Sequence, residues 1–231
     1  MDRLYGRNSV NEALRAGRRR IHRVLIAHGT RPFDARVPVD RVDRHQLDSL
    51  VGTHHQGVVA EVDPFPYVSV EDLIGESPLL LALDSLQDPQ NFGTLLRTAL
   101  AVGVDGVIIP EHRAVGITPA VSNASAGAVE HLRVARVTNL TRALSQLKSR
   151  NVWVYGLTMD APQPFWDVDF NGGVVLVVGS EGEGLGRLVR ETCDLLLSIP
   201  MRPDSIDSLN AATAGSLVLY EAFRQRSTNH S

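Results

Sequence analysis

Three stretches of this chain gather the residue types that do chemistry. Asn91 stands six residues before Arg97 in Asn91-Phe92-Gly93-Thr94-Leu95-Leu96-Arg97. The loop Gly179-Ser180-Glu181-Gly182-Glu183-Gly184-Leu185 sets two carboxylates among glycines, and Ile199-Pro200-Met201 is followed by Ser208-Leu209-Asn210-Ala211. Glycines at this density let backbone N–H groups approach a ligand, as they do around a pyrophosphate at a helix start. Here no Gly-Lys-Ser/Thr follows, and Glu181 and Glu183 would stand where phosphate charge should lie. A neutral or cationic ligand fits this loop better, and a nucleotide-dependent dehydrogenase is disfavoured for the same reason. An ordinary strand-to-helix turn would use the same glycines for their positive φ.

Asn91 is either the N-cap of the helix that follows or a polar group of a site. Arg97 lies beyond the first helical turn, among Leu95, Leu96, Ala99 and Leu100. It either snorkels to solvent or pairs at a site, and the carboxylates that suit it are those of the glycine loop. Metal chemistry has no support, because His54 and His55 are adjacent and would point to opposite sides of an extended chain, and the other histidines lack ligand spacing. Ser180 does not sit in the Gly-x-Ser-x-Gly of a nucleophile elbow. Asp160, Asp167 and Asp169 read as a solvated loop beside Pro162 and Pro164. The single cysteine, Cys193, excludes an internal disulfide and reads as a buried small residue.

These residues need a frame. The run Val174-Val175-Leu176-Val177-Val178 breaks straight into the glycine loop, so it reads as a buried strand whose end opens onto a pocket. Strands at residues 79–83, 107–109, 132–137 and 152–157 alternate with helices at 91–102 and 140–149 and a helical or irregular segment at 119–128. That rhythm implies a mostly parallel sheet covered on both faces. Asp63-Pro64-Phe65-Pro66-Tyr67 marks a linker. Before it lies a small α/β module. Ser9-Val10-Asn11-Glu12 has the form of a capping box with Ser9 as N-cap, and Gly17 stops that helix. Strands are expected at 24–27, 37–39 and 57–62, with a short helix at 44–50. The expected domains are residues 1–68 and 69–231.

A chain of 231 residues, 43% hydrophobic and 21% charged, suits one good core plus a small second domain. No apolar run nears the roughly 20 residues of a membrane span, and Met1-Asp2-Arg3-Leu4-Tyr5 lacks a signal-peptide core, so a cytoplasmic protein is expected. The net charge of −3 hides an asymmetry: residues 1–36 carry nine arginines against Asp2, Glu12 and Asp34, a surplus of six, which leaves the remainder at −9. A basic head on an acidic body suits a polyanionic partner. Arg18-Arg19-Arg20 is either a phosphate-binding run or a solvated turn.

Read in order and spacing, the three chemical stretches resemble the three motifs of the SpoU (TrmH-type) RNA ribose 2′-O-methyltransferases. Tyr5-Gly6-Arg7-Asn8-Ser9-Val10-Asn11-Glu12-Ala13-Leu14 and His55-Gln56-Gly57-Val58-Val59-Ala60 look like that family's substrate-binding domain, so the resemblance covers nearly the whole chain. It implies a SPOUT-type α/β fold whose C-terminal segment forms a deep trefoil knot, a rare exception to unknotted topology. It also implies S-adenosyl-L-methionine held in that knot, largely by backbone, and a homodimer with no metal. Leu157, Thr158, Gly179, Ile199, Met201 and Leu209 match the cofactor lining, while Asn91, Arg97, Glu181, Ser208 and Asn210 match the polar catalytic site. Arg7, Arg18, Arg19 and Arg20 are the expected RNA contacts.

The resemblance implies methyl transfer to a ribose 2′-hydroxyl of RNA, with a guanosine of 23S rRNA as the expected target. Transfer RNA is the alternative substrate, and a non-catalytic RNA-binding or assembly factor is the alternative class. Two departures stand out. Arg202-Pro203-Asp204-Ser205-Ile206-Asp207 lacks the glycine that relatives carry soon after the methionine and is one residue longer. Gly29-Thr30-Arg31-Pro32-Phe33-Asp34 replaces an expected helix. Because the head carries the positive charge, removal of residues 1–68 is expected to leave a folded dimer that binds cofactor and loses RNA affinity.

Overall fold

The computed structural model describes residues 1–31, 36–112, 114–202 and 208–228. In chain order the first elements are β1 (Asp2–Tyr5), α1 (Arg7–Ala16), β2 (Ile21–Ala27), β3 (Val39–Val42), α2 (Arg44–Val51) and β4 (Val58–Val62). Next come β5 (Leu79–Leu83), α3 (Pro89–Ala101), β6 (Gly106–Pro110), α4 (Pro119–Ala124), β7 (Val134–Val137), α5 (Leu140–Lys148) and β8 (Trp153–Leu157). The last are β9 (Gln163–Pro164), β10 (Val174–Val178), α6 (Arg187–Thr192), β11 (Leu195–Ser198) and α7 (Ala211–Thr228). The chain divides into two compact units, Met1–Pro66 with Ile117–His131, and Tyr67–Gly116 with Leu132–Ser231.

The first unit is built on a four-stranded sheet of order β1-β4-β2-β3, in which β4 runs antiparallel to both neighbours and β2 pairs β3 in parallel. Alternation along β2 covers both faces. Val24 and Ile26 pack with Val10 and Ala13 of α1, whereas Leu25 and Ala27 pack with Leu47 of α2. The α1 helix starts at Arg7 behind Gly6, whose φ of 87° favours glycine. Ser9 is therefore not the N-cap. It is buried on the packed face and its hydroxyl donates to Ser122 O at 3.1 Å. Gly17 ends the helix as expected, with φ of 60° and its N–H on Ala13 O. The strand expected at 37–39 lies at Val39–Val42, and β1, only four residues long, gave no periodic signal.

Residues 117–131, which the rhythm of the chain assigns to the larger domain, pack with the first unit. A buried ion pair carries this. Arg19 Nε and Nη2 donate to Glu130 at 2.9 and 2.5 Å, Ser122 Oγ adds a bond to Glu130 Oε1 at 2.8 Å, and the guanidinium lies over the Phe65 ring. Cutting after residue 68 would leave the Glu130 carboxylate without its cation, so the clean truncation expected from charge alone does not suit this architecture.

The second unit holds a seven-stranded sheet, parallel throughout, of order β7-β6-β5-β10-β8-β11-β9. Strands covered on both faces read as unbroken apolar runs, and all five residues of β5 and of β10 are buried. On one face Leu140, Leu144 and Leu147 of α5 and Val189 of α6 pack with Val175 and Val177. On the other, α3 packs on α7, where Gly215 allows the approach: a Cβ there would lie 2.7 Å from Leu95 Cδ2. The chain moves outward from β5 through β6 to β7 and returns to β10 and β8 on the opposite side. Ligands of open α/β sheets bind beside the strand ends at such a reversal.

Candidate active site

A cavity of about 720 Å³ lies at the C-terminal ends of β8 and β10, bordered by residues 179–185, 199, 201 and 208–211. That volume is in the range of small-molecule sites. All six residues expected to line it, Leu157, Thr158, Gly179, Ile199, Met201 and Leu209, do so. The loop after β10 closes on itself, with Ser180 and Gly184 exchanging two backbone hydrogen bonds of 3.1 Å. Gly182 and Gly184 have φ of 87° and 67°, and a Cβ on Gly179 would overlap the backbone of Gly184. The glycines thus form a cradle with backbone at its surface.

The polar residues meet at the edge of this cavity. Asn91 Nδ2 and Asn210 Nδ2 both donate to Glu181 Oε1, the latter at 2.7 Å, and Asn210 Nδ2 also reaches Asn91 Oδ1 at 2.9 Å. The choice between cap and site for Asn91 is decided by Asp88, which caps α3 by accepting from the N–H groups of Gln90 and Asn91 at 3.2 and 3.1 Å. Asp88-Pro89, a capping residue before a proline at the first helical position, was the sequence signal for that start. Asn210 serves twice, because its Oδ1 accepts from Ala212 and Thr213 N–H at the start of α7.

Arg97 is exposed on α3 and makes no hydrogen bond or ion pair with any described residue. The expected pairing with the loop carboxylates is therefore not found; Glu181 is held by two amides instead. Ser208 lines the cavity but stands outside the Asn91–Glu181–Asn210 cluster. Residues 203–207, most of the atypical segment after Met201, lie outside the described residues, as do 32–35 of the other departure. Two lining residues were not expected at the site: Asp160, read as part of a solvated loop, and Arg190 pair at 2.9 Å across the cavity rim. The Arg190 guanidinium holds the Asp160 carboxyl below the ordinary carboxylate range. Their positions, 30 residues apart, carry no local signal.

The expected RNA contacts do not share one environment. Arg19 is buried against Glu130, which removes it from any phosphate, because each of these two desolvated charges compensates the other. Arg20 is exposed, Arg18 half-buried, and Arg7 donates to Arg31 O at 2.6 Å. No described helix is long and apolar enough to cross a membrane. Among the described residues, no three His, Cys, Asp or Glu side chains gather as metal ligands would.

Residues 78–220, which contain the cavity and the polar cluster, match the SpoU rRNA Methylase family. The chain belongs to that family. Residues 3–68 match a second description, RNA 2′-O ribose methyltransferase substrate binding. A Bacillus subtilis (strain 168) protein named putative TrmH family tRNA/rRNA methyltransferase YacO is 42% identical, with 97% of this chain and 96% of that protein covered. A Staphylococcus aureus (strain COL) protein named putative TrmH family tRNA/rRNA methyltransferase is 38% identical, with 96% of each covered. Among solved structures, the SpoU methyltransferase AviRb from Streptomyces viridochromogenes in complex with AdoMet aligns with a TM-score of 0.84 and 25% identity, covering 98% of this chain and 90% of that one. As a SpoU family member this chain is an S-adenosylmethionine-dependent RNA methyltransferase.

The cavity also suits that cofactor on its own chemistry. Its surface is largely backbone and apolar side chains, and it takes in the buried Thr158 Oγ1, which has no hydrogen-bond partner among the described residues. Thr158 is near enough to Asp160 to favour the ionised carboxylate, yet no bond of ordinary geometry forms. Buried hydroxyls are nearly always paired, so a polar atom of a bound molecule is the natural partner.

Proposed function

We propose that this enzyme methylates a ribose 2′-hydroxyl of RNA, on a guanosine of 23S rRNA, and that Asn91, Arg97, Glu181, Ser208 and Asn210 form its catalytic site. The observation that carries the reading is the convergence of Asn91, Glu181 and Asn210 at the mouth of the cavity. Leu157, Thr158, Gly179, Ile199, Met201 and Leu209 would hold S-adenosylmethionine, which supplies an activated methyl group. The chain's own part is to align the hydroxyl, ease its deprotonation and exclude water. Glu181, fixed by two amides, sets the shape of the polar edge. Arg97, with its donors uncommitted, clamps phosphate and the developing alkoxide. It is not the proton acceptor, because a guanidinium presents donors only and has no acceptor atom.

The working form in this reading is a cytoplasmic homodimer, with its C-terminal segment threaded as a trefoil knot. Leu217, Tyr220 and Phe223 recur along α7 and are 44%, 54% and 43% exposed, a stripe that a second copy would cover. Light scattering at micromolar concentration giving a mass near 25.2 kDa would contradict the dimer. The substrate is tested by methyl transfer to purified rRNA and tRNA in separate assays, and by ribose-methylation mapping in cells with and without the gene. Transfer to tRNA alone replaces the substrate; RNA binding without transfer to either replaces the activity with an RNA-binding role.

A further inference from the structure

We propose that Asp84, outside the family-matched site residues, is the positioning residue that holds both ends of the cofactor loop and so sets S-adenosylmethionine affinity. The inference rests on the reading of the cavity as the cofactor site. Asp84 follows β5 directly, beside the end of β10. Its backbone N–H donates to Val178 O at 2.8 Å, the last carbonyl before the glycine loop. Its carboxylate Oδ2 accepts from Gly186 N at 2.7 Å, the first amide after Leu185. One residue therefore clamps the loop where it enters and where it leaves. The Ser180–Gly184 bridge closes the interior of the loop but ties neither end to the sheet.

The clamp is built into the interior. Asp84 is 7% exposed, and its other oxygen accepts from Ser85 Oγ at 3.1 Å. Ser85 adopts φ of 61°, a left-handed conformation that residues with a Cβ seldom take, and this turn lets the chain leave β5. Gly186 has no side chain, and a Cβ there would stand 3.2 Å from Asp84 Oδ2. An isolated buried carboxylate would be costly, and here both oxygens are bonded. Loss of the carboxylate frees Gly186 N–H, the start of α6 and, through Leu185, the cavity wall.

The test uses the full chain with S-adenosylmethionine as probe. Calorimetry on the wild-type protein comes first, and absence of binding there defeats the cofactor-site reading and this proposal together. With wild-type binding in hand, Asp84→Ala should weaken cofactor binding and raise its KM more than tenfold. Its kcat at saturating cofactor should fall less than threefold and its RNA affinity should stay the same. Asp84→Asn, whose amide oxygen still accepts from Gly186 N–H, should return affinity to within threefold of wild type. A merely structural role predicts a lower melting temperature with unchanged KM. Wild-type cofactor affinity in folded Asp84→Ala, or equal loss in the Asn variant, overturns the proposal. Should the Ala variant not fold, amide exchange in the wild-type protein decides: slow exchange at Gly186 beside fast exchange at Gly182 and Glu183 supports the clamp, and fast exchange at Gly186 refutes it.

Discussion

Asn210 Nδ2 donates to Glu181 Oε1 at 2.7 Å while Asn210 Oδ1 caps α7 through Ala212 N–H at 2.9 Å, so one side chain links the start of a helix to the carboxylate of the glycine loop. The two duties separate by substitution. Asn210→Asp keeps a good N-cap but sets a second carboxylate against Glu181. Its melting temperature should stay within a few degrees of wild type, while methyl transfer drops by more than tenfold. Asn210→Ala should lose both, including about 1 kcal/mol of stability. Thermal melts and single-turnover transfer distinguish them.

Because Arg97 has no partner among the described residues, its removal should leave stability within about 0.5 kcal/mol. Arg97→Lys keeps the charge and loses the planar fork, so transfer should fall well over tenfold with cofactor affinity nearly intact. Near-normal turnover would return Arg97 to the role of a solvated helix arginine.

The arginine run divides by burial. Arg19→Ala strands the buried Glu130 carboxylate and should cost about 3–5 kcal/mol, whereas replacing both partners by methionine should recover much of it. Arg20→Ala should leave the melt unchanged and flatten the salt dependence of RNA binding by up to about one unit. Denaturant titration and binding at several salt concentrations read these two effects independently.

Burial pushes the Cys193 thiol up to about 11, with the neighbouring Asp194 carboxylate adding to the shift. The unfolded thiol ionises near about 8.5, so the fold favours the neutral form. Stability from this group is present below about pH 8.5 and is lost as pH rises towards 11. Iodoacetamide should therefore label the native protein slowly at pH 8 and the unfolded chain readily, as mass spectrometry would show. Equal rates would contradict the assigned environment.

Gly179 and Gly182 should respond differently to alanine. At Gly179 the new Cβ meets the Gly184 backbone and the loop must open, so cofactor affinity should fall more than tenfold. At Gly182 there is open space, and only the strain of a φ of 87° remains. Calorimetry on the pair tests whether the cradle depends on close backbone approach.

Local pattern was enough for the frame and for the glycine loop, while the family resemblance named the rest of the expected site. Runs such as Leu79–Leu83 and Val174–Val178 are apolar throughout because both faces of the parallel sheet are covered, and that composition is visible without the fold. The glycine loop was legible because backbone conformation demands glycine at fixed spacings, whereas the other residues lining its cavity came from the family resemblance. What needed the tertiary structure was pairing across long separations. Nothing local to Arg19 indicates Glu130, 111 residues on, so its burial was hidden and a charge count placed it on the surface. Likewise Glu181 takes amides from Asn91 and Asn210 rather than the Arg97 that charge alone suggests, and Asp84 meets Gly186 across 102 residues. Hydrogen bonds depend on the position and direction of individual atoms, which composition and periodicity do not encode; the fold alone supplies them.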